Sequence, residues 1–208
     1  MQMTITRALA ELTLLDSRIS RAISDAMLVT RKKNSAKNVL NGRKTVEEFN
    51  KEAKATYQSI QDLIERRKQI KELIVESNAR TKVSIGGKEY TVASAIERKA
   101  SIGYEKSLLG KLVNSLSQCE RKVEDDNQRV ENEINQMNLA YMSKDNSVSD
   151  TMLKMNTEYR EQNQSILIDP LNLKETIDKL RKEIEDFESE VDFSLSESNS
   201  ITRIEIAD

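Results

Sequence analysis

Two segments of the sequence share a pattern of residues that is suited to binding an anion. Residues 76–85 and residues 197–206 both fit Glu-Ser-Asn-x-x-Thr-[Lys/Arg]-[Val/Ile]-x-Ile, and each follows an amphipathic stretch. The Asn and Thr side chains offer neutral hydrogen bonds, whereas the basic side chains offer charge-assisted ones. This combination favours a small phosphate-bearing ligand, in particular a nucleotide. The alternative is that Asn and Thr only end helices and form turns, while the basic side chains are solvated.

The predicted ligand site draws on both segments and on the stretch between them. Tyr90 supplies a ring for stacking, and the first turn of a helix that begins near residue 92 adds backbone amides. The site consists of nine residues: Asn78, Arg80, Thr81, Lys82, Tyr90, Arg98, Asn199, Thr202 and Arg203.

The composition excludes most familiar catalytic sites. The 208 residues include no His and one Cys, so the chain has no Ser-His-Asp triad, no imidazole metal ligand and no internal disulfide. No Gly-rich phosphate-binding fingerprint occurs. The acidic runs are typical of solvated helix faces, because a di-metal site in a helical bundle needs His beside Glu. We therefore expect a protein that is not an enzyme and that holds no metal and no cofactor.

The composition also indicates long helices. Charged residues make up 33% of the chain and apolar residues 37%, with five Gly and one Pro. An average soluble domain is about 25% charged and about 45–50% apolar. The net charge of −2 gives no overall basic excess for binding nucleic acid.

The sequence gives no signal for a membrane-spanning helix. No apolar run reaches the ~20 residues that such a helix needs, and charged residues interrupt the N-terminal stretch. The single Cys119 fits a reducing compartment. We therefore predict a cytoplasmic protein.

The periodicity predicts long helices with two weaker regions between them. The Thr45-Val46-Glu47-Glu48 stretch is a capping box, and Asn78 suits the end of the helix that it starts. Asp169 and Pro170 are typical of a helix start. The predicted helices cover residues 4–28, 45–77 and 92–138, a short stretch at 148–163, and the stretch that follows Asp169; a basic loop lies at 30–45 and a weakly ordered segment at 141–167.

A small β element is expected at one end of the helices. Residues 82–91 alternate around Gly86-Gly87, which predicts a two-residue hairpin, and residues 201–206 alternate again. Because a lone strand is not stable in water, we expect the last strand to join the hairpin in a three-stranded antiparallel sheet. The predicted fold class is therefore mainly α, a single elongated domain over 1–208, with long antiparallel helices in a bundle or coiled coil.

A further set of motifs follows one order along the chain: Leu9, Leu12 and Leu15 in the first helix, Asn78-x-x-Thr81, the stretch 87–99, Ile168-Asp169-Pro170-Leu171, and Asn199-x-x-Thr202. In this order the motifs resemble the septicolysin-like family of small helical proteins from bacteria and their phages. This chain has Ser200 where the family has Trp after its terminal Asn, and the lytic name of the family implies a membrane activity.

Three functions are consistent with this sequence. The first is a non-catalytic homo-oligomer that sequesters a small anionic, nucleotide-like ligand and that the resemblance implies to be phage-encoded. The second is a structural or protein-interaction coiled coil, such as a scaffold or virion component with a protein partner. The third is the membrane-active protein that the family resemblance implies. A homo-oligomer is expected because long helices this polar need another subunit to cover their apolar stripes.

Overall fold

The computed structural model describes residues 2–141 and 150–206, and it is mainly helical, with 77% of these residues in helix. This confirms the predicted dominance of helices. The elements are β1 (Gln2–Thr4), α1 (Ile5–Asp25), β2 (Asn38–Val39), β3 (Lys44–Thr45), α2 (Val46–Arg80), β4 (Lys82–Ile85), β5 (Lys88–Thr91), α3 (Val92–Tyr141), α4 (Asp150–Asn163), α5 (Leu173–Ile201) and β6 (Arg203–Glu205).

The chain divides into two compact units. Unit 1 combines the first 100 residues with residues 187–208, and unit 2 comprises residues 101–186. The expectation of one elongated domain stays a prediction.

The core of unit 1 joins the first helix to the last strand. β1 pairs antiparallel with β6, so that Met3 lies opposite Ile204. α1 starts directly after β1, where the Thr4 hydroxyl accepts a hydrogen bond from the backbone N–H of Arg7. The buried residues of this cluster are Met3, Ile5, Ala8, Leu12, Leu15, Ile70, Ile74, Ile204 and Ile206.

The predicted three-stranded sheet is wrong. Within the described residues each sheet has two strands, because β4 pairs with β5 and β6 pairs with β1. The predicted hairpin itself is confirmed, with Gly86 and Gly87 in its turn at φ of 57° and 72°. The error has a physical cause: the sequence reading missed β1, three extended residues before α1 that supply the edge on which β6 pairs.

The two matching segments have the same local structure. In both, the Thr backbone N–H closes the last helical turn, with Thr81 bonded to the Ser77 oxygen and Thr202 to the Ser198 oxygen, each at 2.9 Å. The Thr carbonyl then accepts from the first residue of the helix that follows the paired strand, which is Val92 or Ile5. The predicted helix ends at Asn78 and Asn199 are wrong, since Thr takes the C-cap position.

The match extends to a repeat in which one hairpin is continuous and the other is built from two distant parts of the chain. α2, β4, β5 and α3 correspond in order to α5, β6, β1 and α1. Corresponding pairs are buried in both copies: Val92 and Ile5, Ala95 and Ala8, Ile102 and Leu15, Val191 and Ile70, and Ile85 and Ile206.

The basic loop is partly structured. β2 and β3 form a short ladder around a turn with positive φ at Asn41 and Gly42, and Val39 is buried. Residues 26–37 contain neither helix nor strand. The capping box that starts α2 is confirmed: the Thr45 hydroxyl accepts from the N–H of Glu48, whose carboxylate accepts from the N–H of Thr45.

In unit 2, α4 runs antiparallel to the C-terminal part of α3. Asn156 bonds Asn138 at 2.9 Å, and Arg160 makes a two-pronged ion pair with Glu131 at 2.6 and 2.9 Å. Of the segment predicted to be weakly ordered, residues 142–149 lie outside the described residues, and 150–163 are the helix α4.

The predicted start of the last helix at Asp169 and Pro170 is wrong by three residues. α5 begins at Leu173, after a turn in which Asn172 has a φ of 53°. The Asp169 carboxylate accepts from the N–H groups of Leu171 and Leu173 at 3.3 and 2.7 Å. Asp169 therefore does bond the start of the helix, but across an additional turn.

Replacing Glu131 by Gln is predicted to make the stability of the protein less sensitive to acid. The hydrogen bond from Arg160 lowers the pKa of Glu131 below its ordinary value. A carboxylate with a lowered pKa in the folded state stabilises the fold above its ordinary pKa, and this contribution is lost as the pH falls through the folded-state pKa. Chemical denaturation should therefore show a higher free energy of unfolding for wild type than for the variant at pH 7. The difference should shrink as the pH falls below the ordinary pKa of a glutamate, and it should vanish only below the lowered folded-state pKa. Glu161→Gln, at an exposed position of α4 that makes no ion pair with the described residues, is the control and should show no such convergence.

Candidate functional site

The hairpin β4–β5 and the helix α3 that follows it hold the first group of predicted site residues. Tyr90 and Arg98 lie together, because the Arg98 guanidinium donates a hydrogen bond to the Tyr90 hydroxyl. The Cζ atom of Arg98 lies 4.4 Å from the centre of the Phe187 ring. The Tyr90 ring meets Phe187 edge-on, with the ring centres 5.6 Å apart. These contacts turn Arg98 and Tyr90 towards α5, so a ligand that uses them has to replace or share these contacts.

The other cations beside the hairpin are also engaged. Arg80 pairs with Glu76 at 2.8 Å along α2, and Lys82 pairs with Glu89 at 3.2 Å across the hairpin. Both pairs are well exposed, and such surface pairs are worth about 0–1 kcal/mol. A phosphate is therefore able to compete for these side chains at a small cost.

The backbone amides expected to bind an anion have internal partners. The Gly86 N–H donates to the Glu190 carboxylate at 2.7 Å, and the Ser94 N–H donates to the Thr91 hydroxyl at 3.0 Å. The Val92 N–H donates to the Thr81 carbonyl. These N–H groups of the turn and of the start of α3 are therefore already bonded within the protein and are not open to an anion.

The second group of predicted residues lies on the other sheet. Asn199 is half-buried near the end of α5, Thr202 caps that helix, and Arg203 is exposed on β6 opposite Thr4. Asn78 is half-buried near the end of α2. The nine residues therefore occupy two corresponding places in the repeat, and the single three-stranded element that was to gather them is absent from the described residues.

The residues that hold the hairpin to α5 were missed by the sequence reading. Phe187, Glu190, Asp192 and Ser194 contact Arg98, Gly86, Lys99 and Ser84 respectively. The helical period of α5 indicates that Phe187 faces inward. It carries no signal for the partners of α5, which lie about a hundred positions earlier in the chain.

A concavity with a mainly apolar lining lies in unit 2, between α3 and α4. It has a volume of about 350 Å³ and no charged residue among those that line it: Met137, Asn138, Tyr141, Met152, Met155, Asn156 and Tyr159. Such a lining suits a neutral, flat group and gives an anionic ligand no counter-charge.

Neither a cluster of metal ligands nor a membrane-spanning helix is found in the part of the chain that the structure describes. There, no three Cys, Asp or Glu side chains converge as metal ligands. Every described helix is too short or too polar to cross a bilayer.

The comparisons with known proteins give no relative. No protein-family model matches the chain, and neither the curated proteins nor the solved structures contain a match. The resemblance to the septicolysin-like family, the phage origin and the cytoplasmic location therefore stay predictions.

Proposed function

We propose that this chain is a non-catalytic interaction protein that works as a homo-oligomer built by packing helices of neighbouring copies, in the manner of a coiled coil. The observation that carries the proposal is the number of large apolar side chains that a single copy leaves in water. Tyr104, Phe193 and Ile201 are 82%, 73% and 70% exposed. Association of copies would remove such side chains from water, which is favourable.

The basic side chains near the hairpin already have partners within the protein, which favours an interaction protein over a ligand carrier. Arg98 lies over Phe187, Arg80 and Lys82 have carboxylate partners, and the Gly86 amide is bonded to Glu190. Each of these contacts occupies a group that an anionic ligand would otherwise bind.

Sequestration of a small anionic, nucleotide-like ligand is a second proposal. It is supported by Arg203, an exposed guanidinium on β6 that makes no ion pair with the described residues. Thr202 and Asn199 lie within four residues of it in the chain, and they add neutral hydrogen-bonding groups.

Native mass spectrometry of the purified protein, with light scattering over a micromolar range, tests both proposals. A defined oligomer without added mass is the expected result for an interaction protein. A monomer at every concentration would overturn the first proposal. An oligomer carrying a few hundred daltons of releasable small molecule would favour the second proposal, and Arg203→Glu should then abolish that added mass.

A further inference from the structure

Contacts between α3 and α4 shape a cavity of about 350 Å³ in unit 2. Asn156 of α4 donates a hydrogen bond to Asn138 of α3 at 2.9 Å. The Tyr159 hydroxyl donates to the Glu133 carboxylate at 2.7 Å, and the neighbouring Arg160 adds its ion pair with α3. These contacts hold the two helices together, so the cavity is preformed, as small-molecule sites usually are.

Soft apolar side chains and aromatic rings form most of the lining of this cavity. The lining includes Met137 and Tyr141 of α3 and Met152, Met155 and Tyr159 of α4. Thioether side chains adapt to the shape of a ligand and make favourable contacts with aromatic rings. Of the described residues that line the cavity none is charged, so a charged ligand would lose water there without gaining an ion-pair partner. The lining therefore favours a neutral aromatic group.

Two side-chain amides supply the polar part of the lining. Asn138 and Asn156 are partly buried, and both line the cavity. Each amide has two N–H groups and an oxygen that can accept two hydrogen bonds, and their mutual bond uses only one N–H and one acceptor position. The N–H groups of Asn138 and the oxygen of Asn156 make no hydrogen bond with any described residue. A donor and an acceptor therefore lie next to each other at the cavity.

We propose that this cavity binds a small, neutral, planar ligand that joins an aromatic ring to an amide. Such a ligand carries a carbonyl oxygen and an N–H side by side, so it accepts from Asn138 and donates to Asn156 at once. Its ring lies among the Met and Tyr side chains, where it is removed from water. The site consists of residues other than the basic ones considered for an anion, and it does not depend on the proposed homo-oligomer.

The first test compares three ligands of nearly the same size on the wild-type protein. Benzamide is the probe, because it consists of an aromatic ring and a primary amide, and it should bind in a saturable manner. N,N-dimethylbenzamide keeps the ring and the carbonyl but has no N–H to donate to Asn156, and benzoate carries a charge. We expect both to bind at least about tenfold more weakly than benzamide in a calorimetric titration.

The second test locates the bound ligand by the NMR signals of ¹³C-labelled Met methyl groups, which single Met→Leu variants assign. The signals of Met137, Met152 and Met155 should shift as benzamide is added, because an aromatic ring changes the shifts of methyl groups that it contacts. Met27 is the matched control for Met155, since the two side chains are 56% and 54% exposed and Met27 lies in unit 1. The Met27 signal should not move.

The third test removes the acceptor. Asn156→Leu, a change of similar size, should weaken benzamide binding at least about tenfold, because the N–H of the bound amide then has no partner. N,N-dimethylbenzamide has no such N–H, so its affinity should stay within about twofold of its wild-type value. Asn132→Leu is the control, because Asn132 is exposed on α3 and does not line the cavity. This variant should bind benzamide like wild type.

Three results would overturn this inference. Equal affinity of wild type for benzamide and N,N-dimethylbenzamide would show that the two Asn amides do not recognise the ligand. The absence of saturable binding at millimolar benzamide, or shifts spread over all Met signals, would show that the cavity is not the site. Signals of Met137, Met152 and Met155 that respond to protein concentration but not to benzamide would show that a second copy fills the cavity.

Discussion

Replacing Phe187 by Ala should lower the free energy of unfolding by about 3–5 kcal/mol, the range found when a large buried aromatic side chain is truncated. Phe187 is 2% exposed and is among the largest fully buried side chains of unit 1. Its ring meets the edge of Tyr90 and lies under the Arg98 guanidinium. The substitution therefore leaves a cavity and removes the ring that fixes both of these side chains. Urea denaturation followed by circular dichroism measures the change.

Phe193→Ala is the matched control for this prediction. Phe193 lies six residues further along α5 and is 73% exposed, so in the absence of association its truncation should cost less than about 0.5 kcal/mol. Equal losses in the two variants would contradict the burial of Phe187 against the hairpin.

Ile204→Ala should destabilise the protein by about 2–5 kcal/mol, because it empties a buried position in the cluster that ties β6 to α1 and α2. Ile204 is 6% exposed and lies opposite Met3 in the β1–β6 ladder. The same denaturation experiment measures the loss. Hydrogen exchange should show faster opening of the Met3 and Thr4 amides in the variant.

The control for this position is Ile201→Ala, three residues earlier and 70% exposed. It should remain within about 0.5 kcal/mol of wild type in the absence of association. A variant at Ile204 as stable as the one at Ile201 would show that β6 adds nothing to the core.

Local chemistry explains what the sequence predicts well. The capping box at Thr45, the hairpin around Gly86-Gly87 and the bulk of the helices each depend on residues within a few positions of one another. Residues that are close in the sequence determine these features, so a sequence pattern can predict them. The helix ends near Asn78 and Asn199 were misplaced because Asn and the nearby Thr both suit a C-cap region, and the choice depends on the strand that follows.

Contacts between distant segments explain what the sequence does not predict. The pairing of β6 with β1 joins residues about two hundred positions apart, and the β-propensity of residues 203–205 does not name a partner. The contact of Arg98 with Phe187 is similar, since its corresponding pair in the repeat is Glu11 with Arg66, an ion pair at 3.2 Å. Positions that match in the repeat thus keep the contact but change its chemistry, which no single-position pattern reveals.

The two hairpins of the repeat differ greatly in how soon they can form during synthesis. β4 and β5 are separated by two residues, so their hairpin closes on a timescale of about 1–10 μs. β1 has to wait for β6, which at about 5–20 residues per second is made some 10–40 s later. During that interval Met3 lacks its partner Ile204, and the edge of β1 stays unpaired. The β1–β6 ladder is therefore among the last contacts of unit 1 that the growing chain can complete, and during that interval the open edge of β1 is exposed to mispairing with a neighbouring copy.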